Sequence, residues 1–504
     1  MKLKSKKARI FEIIILLIAT FILSLVLYIR FEFGNAKFEQ LLYSLIYSEG
    51  TGSSVIIDGI LYCLPLTIIT FICLFIFTID FKRIIIIKLK FRNKKYNFQL
   101  APIKHYLIYS FIVLLLSVLT SLYSIGFYSY VINIYKESNI YEKYYVNPNE
   151  VNLEFPKEKQ NLIYIIMESM ESTFDDFNIA KKDDNIIPNL KKIAEDNINF
   201  SNTNEFGGAL GLYGTGWTIA GMVAQTSGIP LKLDIDGNSY GTNGSFLPGI
   251  TSLGDILAKE GYNQYLMIGS DATFGGRKSY FKEHGNYKIY DYNWAIKNGK
   301  INENYYLNWG FEDKKLFEFA KNELKNISTK SQPFNFTLLT IDTHAPDGYL
   351  DESCKDKYNY NYANAVACSD SMVSNFVKWI KKQSFYNNTT IILVGDHLTM
   401  QGDITDYVDA NERTIYNTII NSRVLNNNTK KREFSSLDLF PTTLASLGVK
   451  IEGERLGLGV NLFSNEKTLI EQLGYDYFNN ELSKKSTYYN KNFLEKTYYE
   501  MINK

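Results

Sequence analysis

Three uncharged apolar runs, at residues 13–29, 59–79 and 106–135, constrain this chain more than any other feature. A helix needs about 20 residues, within a range near 17–25, to cross the hydrocarbon core of a bilayer, and each run is long enough. The first exceeds the apolar core of a secretory signal and precedes no small-residue cleavage site, so it reads as an uncleaved anchor. A further apolar stretch, 40–48, is too short to span. It reads as an interfacial helix or a shallow re-entrant hairpin.

The placement of Lys and Arg orients these spans. Lys2, Lys4, Lys6, Lys7 and Arg9 precede the first, and Lys82, Arg83, Lys88, Lys90, Arg92, Lys94, Lys95 and Lys104 fill the loop between the second and third. The loop after the first span has only Arg30 and Lys37, against Glu32, Glu39, Glu49 and Asp58. The N-terminus and the basic loop are therefore read as cytoplasmic, and everything after residue 135 as outside. The net charge of +1 conceals this asymmetry: residues 1–104 carry 15 Lys/Arg and 6 Asp/Glu, the remaining 400 carry 39 and 47. Because the cations alternate with membrane-length runs, they imply no nucleic-acid partner, and a soluble cytosolic protein is excluded. Cysteine usage agrees. Cys63 and Cys73 sit inside the second run, while Cys354 and Cys368 stand alone beyond the third. In an oxidising compartment that pair favours a disulfide over two free thiols.

The chain thus divides into a transmembrane anchor (1–150), an extracytoplasmic domain (151–465) and a polar tail rich in Tyr, Asn and Lys (466–504). Within the outer domain, residues 161–167, 263–268, 334–341 and 390–394 are continuous apolar or β-branched runs, as in strands buried on both faces of a parallel sheet. Helical patterns separate them. Ser252-Leu-Gly-Asp255 resembles a capping box that opens a helix stopping near Gly261, and 313–324, 369–382 and 436–447 repeat apolar residues near every 3.6 positions. Strands alternating with helices imply an α/β sandwich.

In open α/β sheets, ligands bind at the carboxyl ends of the strands. The first strand ends in Glu168, the second runs on to Arg277, the third ends in Asp342-Thr-His344, and the fourth in Asp396-His397. One such residue alone would read as a cap or a structural histidine; four strand ends carrying metal- or anion-suited groups read as a site. Gly207-Gly-Ala-Leu-Gly-Leu-Tyr-Gly214-Thr-Gly216-Trp217-Thr218 is a glycine-rich loop feeding a helix, whose free N–H groups suit a phosphate. It lacks the Lys-Ser/Thr ending of a nucleotide P-loop. A threonine hydroxyl is a poor nucleophile until a base or metal activates it. Glu168, Asp396 and His397 offer an oxygen-rich set with one imidazole, compatible with Mn or Zn.

Asn161-Leu-Ile-Tyr-Ile-Ile-Met-Glu168-Ser169, Gly214-Thr-Gly-Trp-Thr218, Asp342-Thr-His344-Ala-Pro-Asp347-Gly348 and Gly395-Asp396-His397 closely resemble the phosphoglycerol transferases that decorate osmoregulated periplasmic glucans in bacteria. Lipoteichoic acid synthases are more distant relatives, and both belong to the alkaline phosphatase/sulfatase superfamily. The likeness covers about 160–465, and the cysteine pair after Asp347-Gly348 also looks like the glucan-modifying branch. It implies that glycerol phosphate moves from phosphatidylglycerol to an envelope glycan through a covalent phospho-threonine. By matching position it makes Glu168, Thr218, Asp396 and His397 the metal ligands, Thr218 also the nucleophile, and Arg277 and His344 the phosphoglycerol-binding residues. The metal implied is Mn2+, with Zn2+ or Mg2+ as alternatives. Gly275 stands where the lipoteichoic acid synthases carry a tryptophan, and Trp217 where they carry a lysine, which argues against a lipoteichoic acid acceptor. Thr218 lacks the Cys/Ser-x-Pro-x-Arg surroundings of a sulfatase nucleophile. A phosphoethanolamine transferase of the same superfamily, and a non-catalytic membrane protein that binds envelope polymers, are the competing readings.

Overall fold

The structure is a computed structural model that describes residues 2–34, 37–46, 53–78, 85–91, 94–100, 105–179, 182–232, 245–307, 309–401, 412–425 and 428–494. The chain forms two compact units: Met1–Phe38 with Gly52–Ser129, and Glu39–Thr51 with Tyr130–Lys504.

The first unit holds α1 (Lys2–Phe33), α3 (Ser53–Phe75) and α4 (Tyr106–Ser124); α2 (Phe38–Ile46), between the first two in the chain, belongs to the second unit from Glu39 onward. Among the described residues, three helices are long and apolar enough to cross a membrane: Lys6–Phe31, Gly59–Thr78 and Tyr106–Ser124. α1 packs against both α3 and α4. Hydroxyls on these helices bond back to their own turns, as Thr20 does to the Leu16 carbonyl (2.9 Å) and Ser117 to that of Val113 (2.8 Å). Each of these two hydroxyls thus has a partner within its own helix, as lipid could supply none. The buried Glu12 is paired with Arg9 at 2.8 Å.

One expectation changes here. The third run, read as one span over 106–135, is interrupted. α4 ends at Ser124, Gly126 takes a positive φ of 75°, and α5 (Phe127–Ile134) begins afresh. Glycine supplies that left-handed turn without steric cost. The basic loop carries an antiparallel hairpin, β1 (Ile85–Phe91) paired with β2 (Lys94–Leu100). Lys82, Arg83, Arg92 and Lys104 of that loop lie outside the described residues, as does residue 79 of the second run.

The second unit is built on a six-stranded sheet. In chain order its elements are β3 (Asn161–Met167), α6 (Thr218–Ser227), α7 (Leu253–Lys259), β4 (Asn263–Ile268), α8 (Arg277–Glu283), β5 (Lys288–Tyr290), α9 (Asp313–Ile327), β6 (Phe334–Leu339), α10 (Asn361–Ile380), β7 (Thr389–Gly395), β8 (Asn417–Ile420) and α11 (Leu439–Ser446). The strand order is β8-β7-β3-β6-β4-β5, parallel except for β8 at the edge. β3 alternates between two cores: Leu162, Tyr164 and Ile166 pack with α6, α7 and α11, whereas Ile163, Ile165 and Met167 pack with α9 and α10. Every residue of β3, β6 and β7 is buried, which is why these strands read as unbroken apolar runs rather than as alternation. The result is the expected α/β sandwich, with an antiparallel edge strand that periodicity over four residues could not reveal.

The Ser252/Asp255 capping box is present and opens α7. The stretch read as a polar tail is folded through Leu494. Its short helices, among them Leu469–Leu473 and Tyr475–Ser483, bury Leu469, Ile470, Phe478, Leu482, Tyr489 and Phe493 in the core that also holds α6. Those apolar positions are scattered among Tyr, Asn and Lys, so composition alone hid them. Of the stretch 40–48, residues through Ile46 are helical in α2 and the last two lie outside the described residues.

Candidate active site

Parallel registry sets the geometry. Met167 of β3 pairs with Gly395 of β7, so Glu168 and Asp396 leave the sheet side by side. On the other flank, Ile166 pairs with Leu339 of β6, which brings the 340–344 segment alongside. Thr340 Oγ1 accepts the Glu168 N–H at 2.9 Å, and the Thr343 hydroxyl donates to the Glu168 carbonyl at 2.5 Å. Asp396 Oδ1 accepts the N–H groups of Ser169 and His397, each at 2.7 Å. Above this edge lies α6, whose first residue is Thr218. Its hydroxyl donates to Glu168 Oε2 at 3.1 Å. The close approach depends on Gly221, where a Cβ would stand 2.2 Å from the Asp396 carbonyl oxygen.

Glu168, Asp396 and His397 are all buried, and one ligand atom from each lies within 4.8 Å of the others. His397 Nδ1 donates to the Leu398 carbonyl at 2.8 Å, which leaves Nε2 as the lone-pair nitrogen of the neutral ring. That nitrogen stands 3.3 Å from Glu168 Oε1 and 3.4 Å from Asp396 Oδ2. Among the described residues no hydrogen bond satisfies either Asp396 Oδ2 or His397 Nε2. Buried acceptors that face one another without donors need a cation between them, so the donor set fits a divalent metal. The titration behaviour agrees. Burial pushes the Asp396 carboxyl up, and the neighbouring Glu168 charge pushes it further. Burial disfavours ionised Glu168 too, but His344 and His397 hold it below the usual carboxylate range. Burial alone would lower His397; Asp396 and Glu168 instead push it up to about 10. The imidazole takes a proton where the charge of a cation would serve.

A pocket beside this cluster is lined by Glu168, Thr218, Phe274, Arg277, Trp309 and His344, among others. Arg277 opens α8, after the turn Phe274–Gly276, rather than closing β4. Its guanidinium is buried, with Nε donating to the Phe274 carbonyl and Nη2 to that of Asp271, both at 2.9 Å. Burial brings its pKa down to about 10, against the opposing charges of Glu168 and Asp271. A buried guanidinium held by neutral carbonyls is a site for an anion. His344 Nδ1 lies 2.6 Å from the Ala345 carbonyl, and burial lowers its pKa. Asp342, also at a strand end, is not part of this site: its carboxylate accepts the Asp313 N–H at 3.1 Å and so holds the start of α9.

Trp309 was not singled out from sequence. It packs on the His344 ring (4.6 Å) and on Phe274 (5.8 Å), with a positive φ of 74°. A Trp-Gly pair in a polar loop carries no signal that would have found it. The Cys354–Cys368 disulfide is formed and closes the segment that follows the His344 motif.

A buried carboxylate, imidazole and hydroxyl cluster at the carboxyl edge of an α/β sandwich defines an alkaline phosphatase/sulfatase-like domain. Residues 160–449, more than half of the chain, match the Sulfatase family, and the chain belongs to it. Phosphoglycerol transferase I of Escherichia coli (strain 55989 / EAEC) is 32% identical over 330 residues, covering 64% of this chain and 41% of its own length. The protein of the same name from Xanthomonas campestris pv. campestris (strain B100) is 31% identical over 318 residues, with 62% and 43% covered. The chain thus spans about two fifths of the length of these relatives. The lipoteichoic acid synthase LtaP from Listeria monocytogenes is similar at 19% identity, covering 62% of this chain and 79% of that one, with a TM-score of 0.48.

Proposed function

We propose that this protein is a membrane-anchored phosphotransferase that moves glycerol phosphate from phosphatidylglycerol to an envelope glycan. The observation that carries the reading is the Thr218 hydroxyl at 3.1 Å from Glu168, beside the unsatisfied Asp396 Oδ2 and His397 Nε2 and sharing a pocket with Arg277. The likeness to phosphoglycerol transferase I supports the choice of transferred group. The Lys/Arg asymmetry supports a catalytic domain outside the cytoplasmic membrane, where the donor's phosphate lies at the lipid surface.

Glu168, Asp396, His397 and Thr218 would hold the divalent metal, with Mn2+ favoured over Zn2+ or Mg2+. Such an ion lowers the pKa of a coordinated hydroxyl and neutralises charge on a phosphoryl group. Thr218 Oγ1 gives up its proton and attacks the lipid phosphorus, forming an O–P bond as the bond from phosphorus to the diacylglycerol oxygen breaks; that oxygen takes up a proton and leaves. An acceptor hydroxyl then loses its proton and attacks the phospho-threonine, and the released Thr218 oxygen is reprotonated. Arg277 grips the non-bridging oxygens. His344, lowered by burial and so neutral near pH 7, is placed to pass protons between attacking and leaving oxygens.

The test is capture of the intermediate. Full-length protein incubated with phosphatidylglycerol vesicles and Mn2+, then digested, should yield a Thr218 peptide carrying glycerol phosphate. Labelling by phosphatidylethanolamine vesicles instead would replace the donor assignment. Lipid turnover without any modified peptide would overturn the covalent route.

A further inference from the structure

We propose that Gln40 and Tyr43, on the short helix α2 between the first two membrane-length helices, are positioning residues that hold the Thr218 and Arg277 loops in place for the phosphoglycerol headgroup. From Glu39 onward α2 belongs to the compact unit that contains the sheet and the active site. Its side chains reach two loops far away in sequence. Gln40 Nε2 donates to the Gly216 carbonyl, two residues before Thr218, at 2.5 Å. The Tyr43 hydroxyl donates to the Gly275 carbonyl, two residues before Arg277, at 2.6 Å. Tyr43 is 3% exposed, its ring 5.3 Å from that of Trp217, the residue that caps α6 immediately before Thr218. One turn of α2 therefore bonds both backbone turns that present the nucleophile and the anion-binding guanidinium.

The consequence follows from how Arg277 is held. Its guanidinium is oriented by the Phe274 and Asp271 carbonyls of its own turn, so displacing that turn displaces the charge. In-line phosphoryl transfer tolerates little misplacement: a shift of about 1 Å can cost about 100-fold. α2 begins at Phe38, seven residues after the first membrane-length stretch ends at Phe31. The headgroup's identity rests on the function proposed above; the brace itself does not.

Full-length Tyr43→Phe, Tyr43→Ala and Gln40→Ala, in vesicles containing phosphatidylglycerol, separate the two. Backbone amide exchange should speed up at 214–219 and 273–278 in Tyr43→Ala, and at 214–219 alone in Gln40→Ala, with the sheet strands unchanged. The kcat/KM for vesicle lipid should fall about tenfold in Tyr43→Ala, roughly the worth of one buried hydrogen bond. Tyr43→Phe, which keeps the ring on Trp217, should fall between wild type and Tyr43→Ala. Unchanged exchange at both loops, or faster exchange throughout the domain, would overturn the brace. Should Tyr43→Ala fail to fold, Gln40→Ala decides through exchange at 214–219. A wild-type protein that turns over no phosphatidylglycerol would sink the function, and the exchange data would still decide the brace.

Discussion

Thr218 carries the functional reading, and its surroundings make its substitutions discriminating. Thr218→Ala should abolish transfer while sparing the fold, since the hydroxyl's single described bond goes to Glu168. Thr218→Ser keeps the oxygen and should retain partial activity; equal lipid turnover by wild type and Thr218→Ala would leave direct attack by water or acceptor. Arg277→Lys should weaken donor use by about tenfold or more, because an ammonium cannot reproduce a planar fork that serves two carbonyls and an anion together. A saturation curve for phosphatidylglycerol measures this, and an unchanged KM would remove Arg277 from the anion site. Glu168 and Asp396 were legible because each follows directly on a strand, with His397 next after Asp396. Arg277 was legible only as a residue downstream of β4, since the turn that aims it depends on Gly275 and Gly276 at positive φ.

Two helices bear separate predictions. α6 can lie against β7 only because Gly221 has no side chain; a Cβ there would meet the Asp396 carbonyl at 2.2 Å, and backbone cannot yield as a flexible side chain does. Gly221→Ala should displace Thr218 from Glu168 and lower both metal affinity and transfer, read by metal titration alongside activity. Retention of both would show that α6 has slack the packing denies. The start of α7 makes a pH prediction. Burial opposes charge on His284, but its ring bonds Asp255 (2.9 Å) and the Phe246 carbonyl (2.8 Å), and the net effect raises its pKa. Two acceptors on two ring nitrogens favour the imidazolium. A raised folded pKa means that stabilisation is complete below the unfolded value near 6.5 and is lost as pH rises through the folded value. Thermal midpoints should therefore decline as pH rises above about 6.5, and His284→Gln should flatten that decline. Parallel curves for the two proteins would remove His284 as its source.

Across the whole molecule, sidedness and the disulfide are coupled. A Cys354–Cys368 bond requires an oxidising compartment, so both thiols should resist maleimide in intact cells until reduced, whereas labelling without reductant would place the domain on the reducing side. In the chain-entropy model, closing a loop of about 15 residues contributes roughly 3 kcal/mol, so reduction should lower the unfolding temperature. Membrane runs, buried strands and the residues at their ends were readable in the chain because each depends on local pattern: uncharged length, unbroken apolar stretches, and a polar residue where such a stretch stops. The edge strand β8, the packing of residues 469–494 and the reach of α2 to Gly216 and Gly275 were not readable. Each joins segments distant in sequence through backbone carbonyls or shared burial, and neither leaves a periodic trace. Residue type and spacing thus determined which groups stand at the strand ends. Tertiary packing decided how they converge, because hydrogen bonds to backbone are available to any residue and are selected only by proximity in the folded chain.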